Sequence, residues 1–168
     1  MDAAWHRFFP RFYRLLRLLD PAIGAWWRRF GVGNTVVLVV PGRRTGVPRS
    51  VFLGLLTDGA RRYLGHPDGE CPWTRNLDAA GSGELLRHGV APEPVRAALL
   101  PDGPERESVI RATFRQHPFP GNAIYWLARR HVRSVGRYYR IETNEGPGVR
   151  APAPGSDPGG PRTGRQSA

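Results

Sequence analysis

A run of apolar residues at positions 35–40, Thr-Val-Val-Leu-Val-Val, constrains the fold more than any other part of the chain. β-branched residues favour extended backbone, and the absence of alternating polar residues indicates a strand that is buried on both faces. Gly31 and Gly33 precede the run, and the turn-rich residues 41–48 follow it. The sequence therefore predicts a core strand that opens the main domain and leads into a turn.

Further strand patterns follow at short intervals. Residues 49–57 and 61–66 predict a hairpin whose tight turn is Asp58-Gly59, and residues 84–90, 93–100 and 135–142 predict three more strands. Helices are expected near residues 73–80, 102–116 and 122–131. Asp102 followed by Glu105 has the spacing of a capping box at the start of one of them. Short antiparallel strands with helices between them predict a mainly β fold with helices (α+β), a barrel of about six strands rather than a parallel sheet.

Residues 1–33 form an amphipathic N-terminal helical segment in this interpretation. Apolar residues from Trp5 to Leu19 follow helical spacing, with arginines on the opposite side. Asp20-Pro21 is expected to end this helix, and a second short helix is expected at 22–30. Two interpretations stay open: the apolar face packs on the barrel, which we favour, or residues 5–30 lie on an anionic membrane surface.

Chain length and residue usage restrict the organisation further. A chain of 168 residues is too short for two large domains, so residues 34–144 are expected to form one barrel domain. Residues 145–168 are mostly Gly, Pro, Ser and Arg and predict a disordered tail. The single cysteine, Cys71, excludes an internal disulfide and a multi-cysteine zinc site, and no metal is expected. Without an apolar run of about 20 residues or a leader pattern, a cytoplasmic location is predicted.

The charge of the chain indicates an anionic partner. Lys+Arg number 25 against 14 Asp+Glu, a net charge of +11, and all the basic residues are arginines. Nucleic acid, a lipid surface and a phosphorylated cofactor all fit this charge. Because the arginines are scattered and no recognition helix or aromatic RNA-binding motif is present, specific nucleic-acid binding is not expected.

The segment Gly42-Arg43-Arg44-Thr45-Gly46-Val47-Pro48-Arg49 is the strongest candidate for chemistry. Glycines let backbone amides face an anion, and the forked donors of arginine match phosphate and carboxylate geometry. The alternative is an ordinary Gly/Pro turn with solvated arginines. The lysine of a phosphate-binding P-loop and the Gly-x-Gly-x-x-Gly dinucleotide pattern are both absent.

This loop, placed after a buried strand and followed by Trp73-Thr74-Arg75-Asn76-Leu77, resembles the deazaflavin (coenzyme F420)-dependent nitroreductase family, which includes quinone reductases. The resemblance implies a split β-barrel and binding of F420, whose tail carries a phosphate and a polyglutamate chain. It also implies a set of cofactor-binding residues: Arg43, Arg44, Thr45, Gly46, Pro48, Arg49, His66, Asp68, Gly69, Trp73 and Asn76.

The function that the resemblance implies is hydride transfer from reduced F420 to a quinone-like, nitroaromatic or other unsaturated acceptor. FMN is the alternative cofactor. A non-catalytic carrier is the alternative function, because Thr74 stands where family members have a tyrosine; a basic nucleic-acid-binding module is a third. The family also raises two partner hypotheses, a homodimer and contact with the inner face of the cell membrane.

Histidine and aromatic residues late in the chain have competing interpretations. His117 is the candidate proton donor, and its alternative role is to end a helix before Pro118. Four aromatic residues could line an acceptor pocket but are expected in the core: Tyr125, Trp126, Tyr138 and Tyr139.

Overall fold

The computed structural model of the chain describes residues 2–31, 33–117 and 120–143. The predicted tail at 145–168 and Pro118 lie outside the described residues. The helices are α1 Asp2–Phe30, α2 Pro72–Ala80, α3 Pro104–Gln116, α4 Gly121–Leu127 and α5 Arg129–Val135. The strands are β1 Thr35–Pro41, β2 Pro48–Gly54, β3 Leu56–Asp58, β4 Arg61–His66, β5 Ser82–Leu86, β6 Glu93–Leu99 and β7 Arg137–Thr143. No helix in these three segments is long and apolar enough to cross a membrane.

The strands form a seven-stranded antiparallel sheet in the order β2-β1-β5-β6-β7-β4-β3. β2 and β3 lie at opposite edges of that order although one residue, Leu55, separates them in the chain. The chain therefore passes directly from one edge strand of the sheet to the other, and β2 lies close to β4. This curled antiparallel sheet confirms the predicted barrel. It has seven strands rather than about six because the predicted strand at 49–57 divides at Leu55, whose N–H donates to the carbonyl of Asn34 at 2.8 Å.

Two apolar clusters hold the fold together. One fills the barrel: Val36, Leu38, Val40, Leu64, Trp73, Leu77, Leu85, Val95, Tyr139 and Ile141. The other lies between the outside of the barrel and the helices: Phe9, Leu56, Tyr63, Leu100, Val109, Ile110, Tyr125, Ala128, Val132 and Tyr138. Val36, Leu38 and Val40 of β1 belong to the cluster inside the barrel, and Val37, on the other face of the strand, is also buried. The prediction of a core strand covered on both faces is thereby confirmed.

The N-terminal segment is one helix, so the predicted break at Asp20-Pro21 is wrong. Proline removes one backbone hydrogen bond, but tertiary contacts at both ends hold α1 in place. Near its start the fully buried Phe9 stacks on Tyr125 at 6.2 Å between ring centroids. Near its end the indole N–H of Trp27 donates to the carbonyl of Thr35 at 2.9 Å. α1 therefore packs on α4 near its start and on β1 near its end, so the favoured interpretation is confirmed for the end of the helix.

The other helices begin and end differently from the prediction. Asp102 does not cap α3; Gly103 is the N-cap and Pro104 the first helical residue, because the fixed φ of proline suits that position. Asp102 instead pairs with Arg106, four residues later, at 3.3 Å. The helix expected at 122–131 is divided at Ala128 into α4 and α5.

The predicted hairpin is confirmed, since Asp58 pairs with Arg61 across a turn in which Gly59 has a φ of +58°. That left-handed conformation favours glycine. The aromatic prediction holds for Tyr125, Tyr138 and Tyr139, which are buried. It is wrong for Trp126, which is 54% exposed and carries the Arg129 guanidinium 4.6 Å from its ring centroid.

Candidate functional site

The loop between β1 and β2 is closed by its own backbone. The N–H of Gly46 donates to the carbonyl of Gly42 at 2.7 Å, and the N–H of Gly42 donates to the carbonyl of Val47 at 2.9 Å. Gly46 has a φ of +67°, which a residue with a side chain rarely adopts. The Thr45 hydroxyl accepts from the N–H of Val47 at 3.4 Å. Thr45, Gly46 and Pro48 therefore lie together on an exposed turn.

Arg43 attaches this loop to α2. Its backbone N–H donates to Oδ1 of Asn76 at 3.3 Å, and its Nη1 donates to the same oxygen at 3.1 Å. Asn76 is 7% exposed, so its amide oxygen has few competing contacts with water. The structure thus brings together two residues of the candidate site that are 33 positions apart in the sequence.

The loop carries positive charge that the rest of the described chain does not neutralise. Arg43, Arg44 and Arg49 are exposed, and none forms an ion pair with a carboxylate of the described residues. Arg75, by contrast, is exposed on α2 and pairs with Glu70 at 3.2 Å. Three guanidinium groups without carboxylate partners make this loop an attractive site for an anion. We call residues 42–49 the arginine loop.

α2 presents two further candidate residues on one face. Trp73 and Asn76 are three positions apart and therefore neighbours on the helix surface. The ring of Trp73 lies 6.1 Å from that of His66 and 5.8 Å from that of Tyr139. Thr74 holds the first turn, because its hydroxyl accepts from the N–H of Cys71 and donates to the carbonyl of Cys71, both at 2.9 Å. Thr74 is fully buried and has a structural role.

His66 and Cys71 are uncharged parts of this region. Burial disfavours the imidazolium form and lowers the pKa of His66 to about 4. The negative charge of Asp68 raises this pKa, but its effect is smaller than that of burial. Burial also raises the pKa of the Cys71 thiol. At neutral pH the border of the site beside Trp73 is therefore a neutral imidazole and a protonated thiol.

Asp68 and Gly69 contact α5 rather than the arginine loop. Oδ1 of Asp68 lies 2.7 Å from Nε2 of His131, whose side chain is inaccessible to solvent. Gly69 has a φ of +76°, and a Cβ added there would lie 3.1 Å from the carbonyl oxygen of Val135. These two predicted cofactor-binding residues are placed where they join the β4–α2 connection to α5.

His117 lies at the far end of β2 from the arginine loop. Its Nδ1 is 3.0 Å from the carbonyl oxygen of Thr113, and a Cβ added at Gly54 would lie 3.0 Å from its Nε2. Gly54 ends β2, five residues from Arg49, which is roughly 17 Å along a strand. Burial lowers the pKa of His117. The structure does not bring the candidate proton donor to the arginine loop.

A network that sequence patterns did not reveal holds α2 against β7. Arg137 binds Asp78 at 2.9 Å through Nη2 and Glu70 at 3.0 Å through Nη1. The Tyr139 hydroxyl donates to Asp78 at 2.8 Å, and burial raises its pKa. The partners lie up to 67 positions apart, so no local spacing could have identified them. Through this network β7 fixes the helix that carries Trp73 and Asn76.

Comparison with protein-family models and with curated proteins finds no match for this chain. Solved structures do match. A domain-swapped dimer shares 17% identity at a TM-score of 0.50, covering 77% of this chain and 98% of that chain. The heme storage protein HutZ from Vibrio cholerae shares 13% identity at a TM-score of 0.50, covering 76% and 92%. An F420-H2 dependent reductase shares 19% identity at a TM-score of 0.49, covering 65% and 94%.

At these identities the matches establish the fold alone. The chain is a split β-barrel protein with helices packed on the outside of the barrel. A heme storage protein is among the matching structures, and a fold by itself does not assign a cofactor, so the choice rests on the residues of the site.

Proposed function

We propose that this chain is an oxidoreductase that binds reduced coenzyme F420 at the arginine loop and passes a hydride to a quinone-like, nitroaromatic or other unsaturated acceptor. One observation carries the proposal. Three guanidinium groups without ion-pair partners among the described residues lie on a loop that Arg43 and Asn76 attach to α2.

The donor set of the loop fits the anionic part of the cofactor. A phosphate and a polyglutamate chain are acceptors only, and Arg43, Arg44 and Arg49 offer donors with the matching charge. The hydroxyl of Thr45 adds a further polar group. Trp73, three positions before Asn76 on α2, and the neutral His66 provide an aromatic, uncharged border suited to a ring system.

The deazaflavin supplies the hydride when it is bound, and the chain supplies position and charge. Arg44 and Arg49 would hold the tail, while the side-chain amide oxygen of Asn76 keeps the loop in one geometry through Arg43. His66, neutral at pH 7, leaves no competing positive charge beside the ring. We assign no proton donor, since His117 lies at the other end of β2.

Titration of oxidised F420 into the full chain tests the proposal, with fluorescence and calorimetry at physiological salt. We expect micromolar or tighter binding that FMN, NADPH and hemin displace poorly. Arg43→Ala, Arg44→Ala and Arg49→Ala should each weaken binding about tenfold, because each removes charge-assisted hydrogen bonds. Arg96→Ala on the exposed surface of β6 is the matched control and should have no effect. Absent saturable binding, or an equal loss in the control, rejects the proposal.

The same titration separates the other functions. Tight F420 binding without turnover of menadione or nitroaromatic acceptors identifies a non-catalytic carrier. Preferential binding of FMN assigns the site to a flavin, and preferential binding of hemin assigns it to heme, as in the heme storage protein HutZ. A salt-sensitive shift of DNA without F420 binding supports the nucleic-acid alternative.

Location and assembly belong to the same proposal. We place the protein in the cytoplasm, with contact to the inner membrane face through α1, where Trp26 and Phe30 are 60% and 61% exposed beside Arg28 and Arg29. Sedimentation with anionic vesicles, with Arg28→Ala/Arg29→Ala for comparison, tests the contact.

A homodimer is proposed from the domain-swapped dimer of similar fold, and analytical ultracentrifugation tests it.

A further inference from the structure

A cleft of about 470 Å³ opens at the end of the barrel opposite the arginine loop. It lies between the end of α1, the start of β1 and the turn between β5 and β6. Thr35 lines the cleft, and Pro41 at the other end of β1 leads into the arginine loop. Six residues of strand separate the two regions by roughly 20 Å. Its volume falls in the range of about 300–1,000 Å³ that is common for small-molecule sites.

Arg87 gives the cleft a positive charge. Its Nη2 is 3.4 Å from Glu93, a carboxylate that Arg62 already holds at 2.7 and 2.8 Å. Two guanidinium groups thus share one carboxylate, and the pKa of Glu93 is lowered to about 2, with the hydrogen bond from Arg62 as the largest cause. Nε of Arg87 is buried and has no hydrogen-bond partner among the described residues. Because two arginines share one carboxylate, and the Arg87 side chain is 41% exposed, Arg87 keeps positive charge that a further anionic partner can reach.

The remaining walls combine apolar side chains with the polar residues Asn34, Thr35 and His88. Val36 is almost fully buried in the cleft wall, while Phe30 and Val90 are 61% and 49% exposed. The Phe30 ring packs against Trp26 at 4.7 Å between centroids. Apolar side chains of this size that stay exposed around a concave surface indicate a ligand with an apolar body.

Backbone packing places His88 in the same cleft. Gly31 has a φ of +66°, and a Cβ added there would lie 3.2 Å from carbons of the His88 ring. A side chain at this position would push the imidazole away, so glycine lets the end of α1 approach the β5–β6 turn. The cleft thus has a defined shape on both sides.

We propose that this cleft binds a small anionic amphiphile, a molecule with one carboxylate or sulfonate head and an aromatic or aliphatic body. The head pairs with Arg87, and the body packs against Phe30, Val36 and Val90. No residue of the arginine loop takes part, so the site is independent of the proposed F420 function.

Titration of 2-naphthoate into the full chain, followed by NMR of backbone amides and histidine imidazoles, tests the inference. The neutral analogue 2-naphthalenemethanol provides the comparison, since it has nearly the same body without the charge. We expect saturable shifts at His88 and Val90 and about tenfold tighter binding of the carboxylate. Equal affinity of the two compounds, or shifts confined to the arginine loop, overturns the proposal.

Two variants locate the binding energy. Arg87→Ala should weaken naphthoate binding about tenfold and abolish the preference over the alcohol, while Glu93 keeps Arg62 and the fold persists. Val90→Asp keeps Arg87 but places a negative charge at the exposed rim, and it should also weaken naphthoate. Arg96→Ala is the control, and melting temperatures verify folding. Unchanged affinity in both folded variants contradicts the inference.

Discussion

The two ends of β1 differ in how charge and space are distributed. At the Pro41 end, the arginine loop has three guanidinium groups without carboxylate partners among the described residues, set on an exposed turn. At the Thr35 end, a cleft of about 470 Å³ has one arginine, which also contacts Glu93. A polyanionic tail needs donors on an open surface, whereas an amphiphile needs a cavity with one charge. One strand thus connects the two proposed sites, which are suited to different ligands.

The ends also differ in how they are fixed. Asn76 accepts two hydrogen bonds from Arg43 and thereby holds the arginine loop from a buried position. The cleft end is held by Trp27, whose indole N–H donates to Thr35. Since the two attachments share no residue, changes at one end should leave the other intact.

The largest effect is expected from His66, beside the arginine-loop end. Its pKa in the folded protein is about 4, below the ordinary value of 6.5. As pH falls through 6.5 the unfolded chain takes up this proton first, so the free energy of unfolding decreases until about pH 4. A difference of 2.5 pKa units corresponds to about 3 kcal/mol. Urea denaturation at several pH values should show this decrease in the free energy of unfolding. The decrease should be smaller in His66→Gln.

His117 contributes in the same direction, because its pKa is also lowered by burial. The residual slope in His66→Gln should therefore decrease further in His66→Gln/His117→Gln. Glu93 does not interfere above pH 4.5. Its pKa is lowered from 4.5 to about 2 in the folded protein, so the stability that it contributes is lost only as the pH falls below 4.5. An identical pH dependence with and without His66 would falsify the prediction.

A smaller effect is expected from Asn76→Ala. The substitution leaves the Arg43 backbone N–H and Nη1 without their buried acceptor, which should cost about 2 kcal/mol in the free energy of unfolding. F420 affinity should fall several-fold, and naphthoate affinity should not change. Arg75→Ala on the exposed side of the same helix is the control and should cost about 0.5 kcal/mol or less. A fall in naphthoate affinity equal to that of F420 would show that the two ends are coupled.

The smallest effect is expected at the cleft end, from Trp27→Phe. An aromatic ring is retained, but the hydrogen bond to the Thr35 carbonyl is lost, at a cost of about 1 kcal/mol. Naphthoate should bind a few-fold more weakly, and F420 should bind as before. Trp26→Phe, at a 60% exposed position, is the control for stability. Loss of F420 binding in Trp27→Phe would contradict independent attachment of the two ends.

Much of the secondary structure was predictable because it depends on local chemistry. The apolar run at 35–40 predicted a doubly covered strand, Asp58-Gly59 predicted the hairpin, and Pro72 with Thr74 starts α2 where a helix was expected. The loop at 42–49 was also recognisable, since its glycines and arginines are adjacent in the sequence. Patterns of this kind need no information about distant residues.

Other features depended on contacts between distant residues and were not predictable. α1 continues through Pro21 because Phe9 holds its start against Tyr125 of α4 and Trp27 holds its end against Thr35 of β1. Asp68 faces His131, 63 positions later, instead of the arginine loop. Local patterns cannot weigh such contacts, because a helix break at Asp20-Pro21 and a cofactor-binding role for Asp68 are both compatible with the neighbouring residues.

The sequence by itself determined the barrel strands, the turn chemistry and the arginine-rich loop that we propose as an anion site, because strand periodicity, glycine conformations and arginine donors are properties of neighbouring residues. The tertiary structure alone decided that Asn76 holds Arg43, that His117 lies far from the loop and that a cleft with Arg87 opens at the other end of β1. The physical reason is closure of the sheet. Strand order and register bring residues 33 or more positions apart into contact, and neither is encoded in any local pattern.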